Sequence, residues 1–126
     1  MIIGTGLDLV EIARFRSLLD RWGERVLERL FTASERAACL ARPDPVPGLA
    51  ARFAAKEAFF KAAGTGYGRG GAWTDVEVWN DDHGAPALRL AGRAERIARE
   101  RGARRAHVSL SHTGTTAAAH VVLEGG

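Results

Sequence analysis

The stretch Arg52-Phe53-Ala54-Ala55-Lys56-Glu57-Ala58-Phe59-Phe60-Lys61-Ala62-Ala63-Gly64 constrains this chain more than any other. It is built from strong helix formers with no β-branched interruption, so it reads as one long helix. Gly64 supplies a left-handed stop. Pro43, Pro45 and Pro47 lie upstream and place the start near Gly48. At about 100° per residue, Leu49, Phe53 and Phe60 fall within roughly 40° of one another and form an apolar stripe. Most other positions are Ala or Phe, so the helix is apolar nearly all round, which is the pattern of a buried helix. Glu57 flanks the stripe, and Lys61 stands one turn beyond it. A carboxylate in such a place needs a cation or hydrogen-bond donors, because its desolvation is costly. The plainest arrangement is an i,i+4 Glu57–Lys61 pair, with Lys61 favoured in the last turn by the helix dipole.

At 126 residues the chain is expected to form one domain, residues 1–126, able to bury a real core. Its hydrophobic content of 46% and charged content of 26% are those of a soluble globule. The net charge of +3 permits an acidic partner or a phosphate-bearing substrate without demanding one. The basic residues read as spread along the chain, without a dense run or interleaved aromatics, which argues against a nucleic-acid-binding module. The single cysteine, Cys39, excludes an intramolecular disulfide framework and reads as a helix-packing residue. The opening Met1-Ile2-Ile3-Gly4 lacks a basic region and Asp8 cuts the apolar run short, so neither a signal peptide nor a membrane span is expected. A cytoplasmic protein is the expectation.

Along the chain, Ile2 to Val10 reads as a strand, and Glu11 to about Trp22 as a helix with Ile12, Phe15, Leu18 and Leu19 on its apolar side. Gly23 interrupts, and Glu24 to Leu30 continues helical. Thr32-Ala33-Ser34-Glu35 is a capping box opening a helix that carries Cys39. Beyond the central helix, the glycine-rich run from Gly64 to Gly71 resembles a phosphate cradle only superficially. It follows a helix C-terminus, where the dipole repels anions, and its glycines better suit unusual dihedrals and close approach to a ligand. Thr74 to Trp79 alternates as a strand with Val76 and Val78 on one face. Asn80 to Gly84 is a turn, and Ala87 to Leu90 is the return strand. Gly92 to Arg101 reads as a charged surface helix. His107 to His112 is a strand, Thr113-Gly114 a hairpin tip, and Thr116 to Leu123 a final strand. This order predicts an α+β fold, with a largely antiparallel sheet packed on the long central helix.

Asp8 has two readings from the residues alone. Asp8-Leu9-Val10-Glu11 fits a helix-capping box. Alternatively, Asp8 and Glu57 are oxygen ligands for magnesium, which is commonly held by one or two carboxylates plus waters and substrate phosphates. His107, Ser109 and Ser111 share one strand face, with His112 on the other or in the turn. Adjacent Ser111 and His112 cannot easily face each other, which argues against a serine-hydrolase triad. The patch suits recognition of phosphate or hydroxyl groups, or is simply a solvated face. No Cys/His cluster has zinc spacing.

Four segments occur in order: G-T-G-L-D-L-V-E-I-A-R (4–14), F-T-A-S-E (31–35), A-R-F-A-A-K-E-A-F-F-K-A-A-G-T-G (51–66) and V-S-L-S-H-T (108–113). With W-T-D-V-E-V and the closing A-A-A-H-V-V-L-E, they resemble the holo-acyl-carrier-protein synthase family of 4′-phosphopantetheinyl transferases over almost the whole chain. Ala38 departs from an aromatic residue common in the family. The resemblance implies transfer of 4′-phosphopantetheine from coenzyme A to a serine of apo acyl carrier protein, with release of 3′,5′-ADP. It implies Asp8 and Glu57 as magnesium ligands and Lys61 beside the pyrophosphate. Gly64, Ser111, His112 and Thr113 are implied as coenzyme A contacts, and Arg14 and Arg21 as the carrier-docking face. It also implies a homotrimer with active sites between subunits, an arrangement that gives a small domain a deep cleft. The same two carboxylates would equally serve a magnesium-dependent nucleotide pyrophosphohydrolase, with water in place of the carrier serine.

Overall fold

The computed structural model describes residues 1–66 and 70–126; Tyr67, Gly68 and Arg69 of the glycine-rich run lie outside them. Strand β1 spans Ile2–Glu11 and is followed by helices α1 (Ile12–Trp22), α2 (Glu24–Leu30), α3 (Ala33–Leu40) and α4 (Val46–Ala63). A 3-10 turn, Trp73–Asp75, leads to β2 (Val76–Asn80) and β3 (Pro86–Leu90), then α5 (Gly92–Glu100), β4 (Ala103–His112) and β5 (Thr116–Gly125). The strands pair antiparallel throughout, as a three-stranded sheet of order β1-β5-β4 and a two-stranded ladder β2-β3. This is the expected α+β architecture, with the strands divided between two sheets.

Helix α4 is the spine. Leu49, Ala50, Ala54, Ala55, Ala58 and Phe59 along it are essentially without solvent contact. One side receives β1 and β5, and the others receive α1, α3 and β2. Its apolar stripe joins an aromatic stack in which the Phe53 ring lies 5.5 Å from Phe15 and 5.1 Å from Trp73. The helix starts at Val46, a turn's fraction earlier than the prolines suggest. Pro47 falls in the first turn, where a missing N–H costs nothing, and Asp44 Oδ1 accepts a hydrogen bond from Val46 N at 3.2 Å. Gly64 ends it in the left-handed conformation, φ 75°, as expected.

Several local readings hold. Thr32 and Glu35 form the full capping box of α3. Val76 and Val78 are both buried on one face of β2. Cys39 is buried, and burial pushes its thiol above the ordinary range, consistent with a packing role. Others change. Thr74 and Asp75 belong to the 3-10 turn rather than to β2, because the Asp75 carboxylate accepts a hydrogen bond from Ala72 N at 3.1 Å and curls the chain there. Asp8 is no helix cap: β1 continues past it to Glu11, which occupies the cap position of α1 without a side-chain hydrogen bond. Among the described residues, no helix is long and apolar enough to cross a membrane.

Candidate active site

The site begins with two glycines. Along β1 the residues facing α4 are Gly4, Gly6, Asp8 and Val10, by the period-2 alternation of a strand. A Cβ at Gly4 would lie 2.1 Å from the carbonyl oxygen of Ala62. One at Gly6 would lie 1.9 Å from that of Ala58. Only glycine therefore lets the strand backbone rest directly on the helix. The next inward residue along the strand is Asp8, which is carried back along α4 toward Glu57.

There Asp8 Oδ1 accepts a hydrogen bond from Lys61 Nζ at 2.7 Å, and the same ammonium donates to the Leu7 carbonyl at 3.1 Å. Asp8 is only 8% exposed, whereas the Lys61 side chain is about half exposed. Lys61 therefore reaches back to β1, and the expected Glu57–Lys61 pair gives way to an Asp8–Lys61 pair. Strand and helix bring the two together across 53 positions of sequence, and the buried aspartate is the stronger partner. The Lys61 ammonium is held above its usual range first by the hydrogen bond to Asp8, against some desolvation. Glu57 is half-buried. Burial pushes its carboxyl upward, the nearby Asp8 charge adds to the effect, and Lys61 opposes it.

Two carboxylates that repel each other beside a lysine make a natural seat for a hard cation. The donor set fits magnesium: oxygen ligands, two of them anionic, with the remaining positions left to water and phosphate. Among the described residues no group of three or more His, Cys, Asp or Glu could enclose a metal.

A cleft beside Glu57 is lined by Leu9, Arg14, Phe15, Leu18 and Phe53. It adjoins an apolar groove formed by Leu18, Trp22, Val26 and Phe53, flanked by Arg25 and Arg29. Arg14 thus lines the same cleft as Glu57. Arg21 does not line the cleft; its guanidinium lies over the Trp22 ring, 5.6 Å from the centroid.

The third group stays apart within one chain. Ser111 pairs with Ala118, which in turn pairs with Leu9, so Ser111 lies on the sheet face turned away from α4 and Asp8. Strand β5 separates β4 from β1, a width of roughly 10 Å. His112 and Thr113 sit at the exposed end of β4, where His112 Nδ1 is 3.4 Å from the Thr113 carbonyl. His112 falls on the opposite face from His107, Ser109 and Ser111, as the alternation requires.

Lys56 escaped the sequence reading. Its Nζ is fully buried, bonded to Glu35 Oε1 at 2.7 Å, to the Trp73 carbonyl at 3.1 Å and to the Val76 carbonyl. Glu35 also accepts from Thr32 N and from Val78 N. Desolvation depresses the Lys56 ammonium and Glu35 counteracts it. The signal available was a charged pair of positions on an otherwise apolar helix, Lys56 as well as Glu57.

Known proteins share this sequence pattern and fold. The model of the 4′-phosphopantetheinyl transferase superfamily matches residues 4–119. The holo-[acyl-carrier-protein] synthase of Trichlorobacter lovleyi is 51% identical over 124 residues, 98% of each chain. The crystal structure of the Neisseria meningitidis synthase superposes with a TM-score of 0.91 at 34% identity, covering 98% of this chain and 99% of that one. That of the Bacillus anthracis synthase, solved in complex with CoA (3′,5′-ADP), gives 0.84 at 37% identity, covering 100% and 99%. The chain belongs to the 4′-phosphopantetheinyl transferase superfamily, and within it to the holo-acyl-carrier-protein synthase family of enzymes.

Proposed function

We propose that this protein transfers 4′-phosphopantetheine from coenzyme A to a serine of an apo acyl carrier protein, releases 3′,5′-ADP, and uses magnesium held by Asp8 and Glu57. The observation that carries this is the Asp8–Lys61 contact beside a half-buried Glu57 whose carboxyl is raised. Pyrophosphate chemistry needs a place for a hard cation, a cation for the departing phosphate and a proton acceptor, and these three residues supply them. The relative solved with CoA (3′,5′-ADP) supports the same substrate here.

The mechanism follows from charge. Attack of the carrier serine on the β-phosphorus breaks the bond to the 3′,5′-ADP oxygen and leaves negative charge on that oxygen. Bound magnesium would neutralise charge on the pyrophosphate oxygens. Lys61, already oriented by Asp8 and the Leu7 carbonyl, presents its ammonium to the leaving phosphate. Glu57, with its carboxyl raised, takes the serine proton directly or through a water. Arg14 at the cleft and Arg21 beyond it offer cations to an acidic carrier. The groove of Leu18, Trp22 and Phe53 between them offers an apolar centre.

The reading extends to assembly. Leu7 and Leu9 on the outer face of β1 are 60% and 66% exposed, and the same face carries Ser111. Packing of that face against further copies of the chain would form a homotrimer with active sites between subunits. A cytoplasmic setting matches a buried free thiol and a nucleotide substrate.

Mass spectrometry of apo carrier incubated with the enzyme, coenzyme A and magnesium tests the reaction. One phosphopantetheine gained on serine is the expected result. Release of 3′,5′-ADP from coenzyme A at the same rate without carrier would instead identify a pyrophosphohydrolase.

A further inference from the structure

The positive charge of the chain is not evenly spread, contrary to the expectation from its sequence. Between Gly92 and Ala106 stand Arg93, Arg96, Arg99, Arg101, Arg104 and Arg105 against Glu95 and Glu100, a local excess greater than the +3 of the whole chain. All six arginines are exposed. Arg99 is paired with Glu95 at 3.3 Å. Arg101, just past the end of α5, is held differently. Its guanidinium lies over Gly64: a Cβ built on that glycine would meet Nη1 at 3.0 Å and both Cζ and Nη2 at 3.3 Å.

Gly64 is the left-handed cap of α4, three positions after Lys61, or roughly 4.5 Å along the helix axis. The partial negative charge of the helix C-terminus attracts a guanidinium to this place. The Gly64 N–H is already spent on the Phe60 and Lys61 carbonyls. Among the described residues Arg101 makes no ion pair and no side-chain hydrogen bond, so its fork of N–H donors remains unused. A planar, permanently charged fork thus lies against the glycine that ends α4, one turn along the helix from the backbone of Lys61. Guanidinium groups match phosphate oxygens two at a time.

We propose that Arg101 binds the 3′-phosphate of coenzyme A and makes the enzyme prefer coenzyme A over 3′-dephospho-coenzyme A. This rests on the transfer reading above and adds to it the residue that selects the nucleotide. Gly64 has a part in it, since a side chain there would crowd the guanidinium.

The test compares wild type, Arg101→Gln and Arg101→Lys in two measurements. Calorimetry gives the affinity for 3′,5′-ADP and for 5′-AMP, which lacks the 3′-phosphate. Transfer kinetics give KM for coenzyme A and for 3′-dephospho-coenzyme A. Arg101→Gln is expected to weaken 3′,5′-ADP and raise the coenzyme A KM roughly tenfold or more, the range of a charge-assisted hydrogen bond. The 5′-AMP affinity and the 3′-dephospho-coenzyme A KM should stay within about twofold, and Arg101→Lys should recover part of the loss. Equal weakening of both members of each pair, or no change in either, overturns the proposal. Absence of any transfer by wild type would count against the transfer reading alone, because calorimetry still decides the role of Arg101.

Discussion

A methyl group on the Cα of Gly6 would stand 1.9 Å from the carbonyl oxygen of Ala58. This contact sets the distance between β1 and α4, and with it the reach from Asp8 on the strand to Lys61 on the helix. Gly6→Ala forces the two elements apart. Overpacking of this kind costs typically about 1–3 kcal/mol, and here the obstacle is rigid backbone. The expected outcome is a lowered melting temperature together with a loss of turnover that persists in the folded fraction. A variant with normal turnover per folded molecule would show that the Asp8–Lys61 distance tolerates the shift.

Asp8→Asn separates the two readings of Asp8 that its local sequence allows. Asparagine caps helices as well as aspartate does, so a capping residue would tolerate the change. With Asp8 on a strand and bonded to Lys61, Asp8→Asn and Glu57→Gln should each reduce turnover at least a hundredfold, roughly the scale of removing one group that stabilises transition-state charge. Their combination should be far from additive, because they act as one unit. Magnesium titration of each variant provides the check: a weakened metal dependence is expected, and near-normal activity of Asp8→Asn would falsify the metal assignment.

The raised carboxyl of Glu57 gives a pH dependence with a definite sign. If Glu57 must be ionised to take the serine proton, turnover falls as pH drops through its raised pKa. Lys61 pulls that pKa down, so Lys61→Met should move the acidic limb of the rate profile to higher pH as well as lower its plateau. Stability runs the other way. A carboxyl raised in the folded state favours folding fully below its unfolded pKa and loses that contribution as pH rises through the folded one. Glu57→Gln should therefore melt higher than wild type at neutral pH, with the difference vanishing in acid. A Glu57→Gln that melts lower at neutral pH would sink the account.

Charge reversal at Arg14 and Arg21 tests the carrier face. Arg14→Glu with Arg21→Glu should raise KM for carrier and leave that for coenzyme A nearly unchanged. In wild type, carrier association should weaken with salt, since screening over about 10 Å at 0.1 M reaches exposed charges. Steady-state titration of carrier at low and high salt reads both effects. Carrier dependence equal to wild type at low salt would place docking elsewhere.

The long helix, the capping box at Thr32 and the inward pair Val76 and Val78 are local patterns, and each was legible in the sequence. Asp8 and Glu57 were marked as a pair by resemblance to a family, while the local residues around Asp8 favoured a helix cap. What stayed hidden depends on contacts between distant segments. Lys61 looked committed to Glu57 because both lie on one helix face, and only the docking of β1 offers it Asp8 instead. Gly4 and Gly6 looked like interruptions in a strand until the helix they touch was in place. Lys56 looked like one more helix former, since its burial requires α3 and β2 to close over it.

That closure binds three stretches of chain into one. The Lys56 ammonium joins the start of α3 through Glu35, the 3-10 turn through Trp73 and β2 through Val76. None of the three can open alone without stranding a charge or a carbonyl in an apolar interior, so they should exchange their amide protons and unfold as a single cooperative block. Glu57 is the next residue along the helix from this knot. Glu57 should therefore hang from one of the last parts of the molecule to loosen, and the proposed active centre should keep its shape until the whole fold gives way.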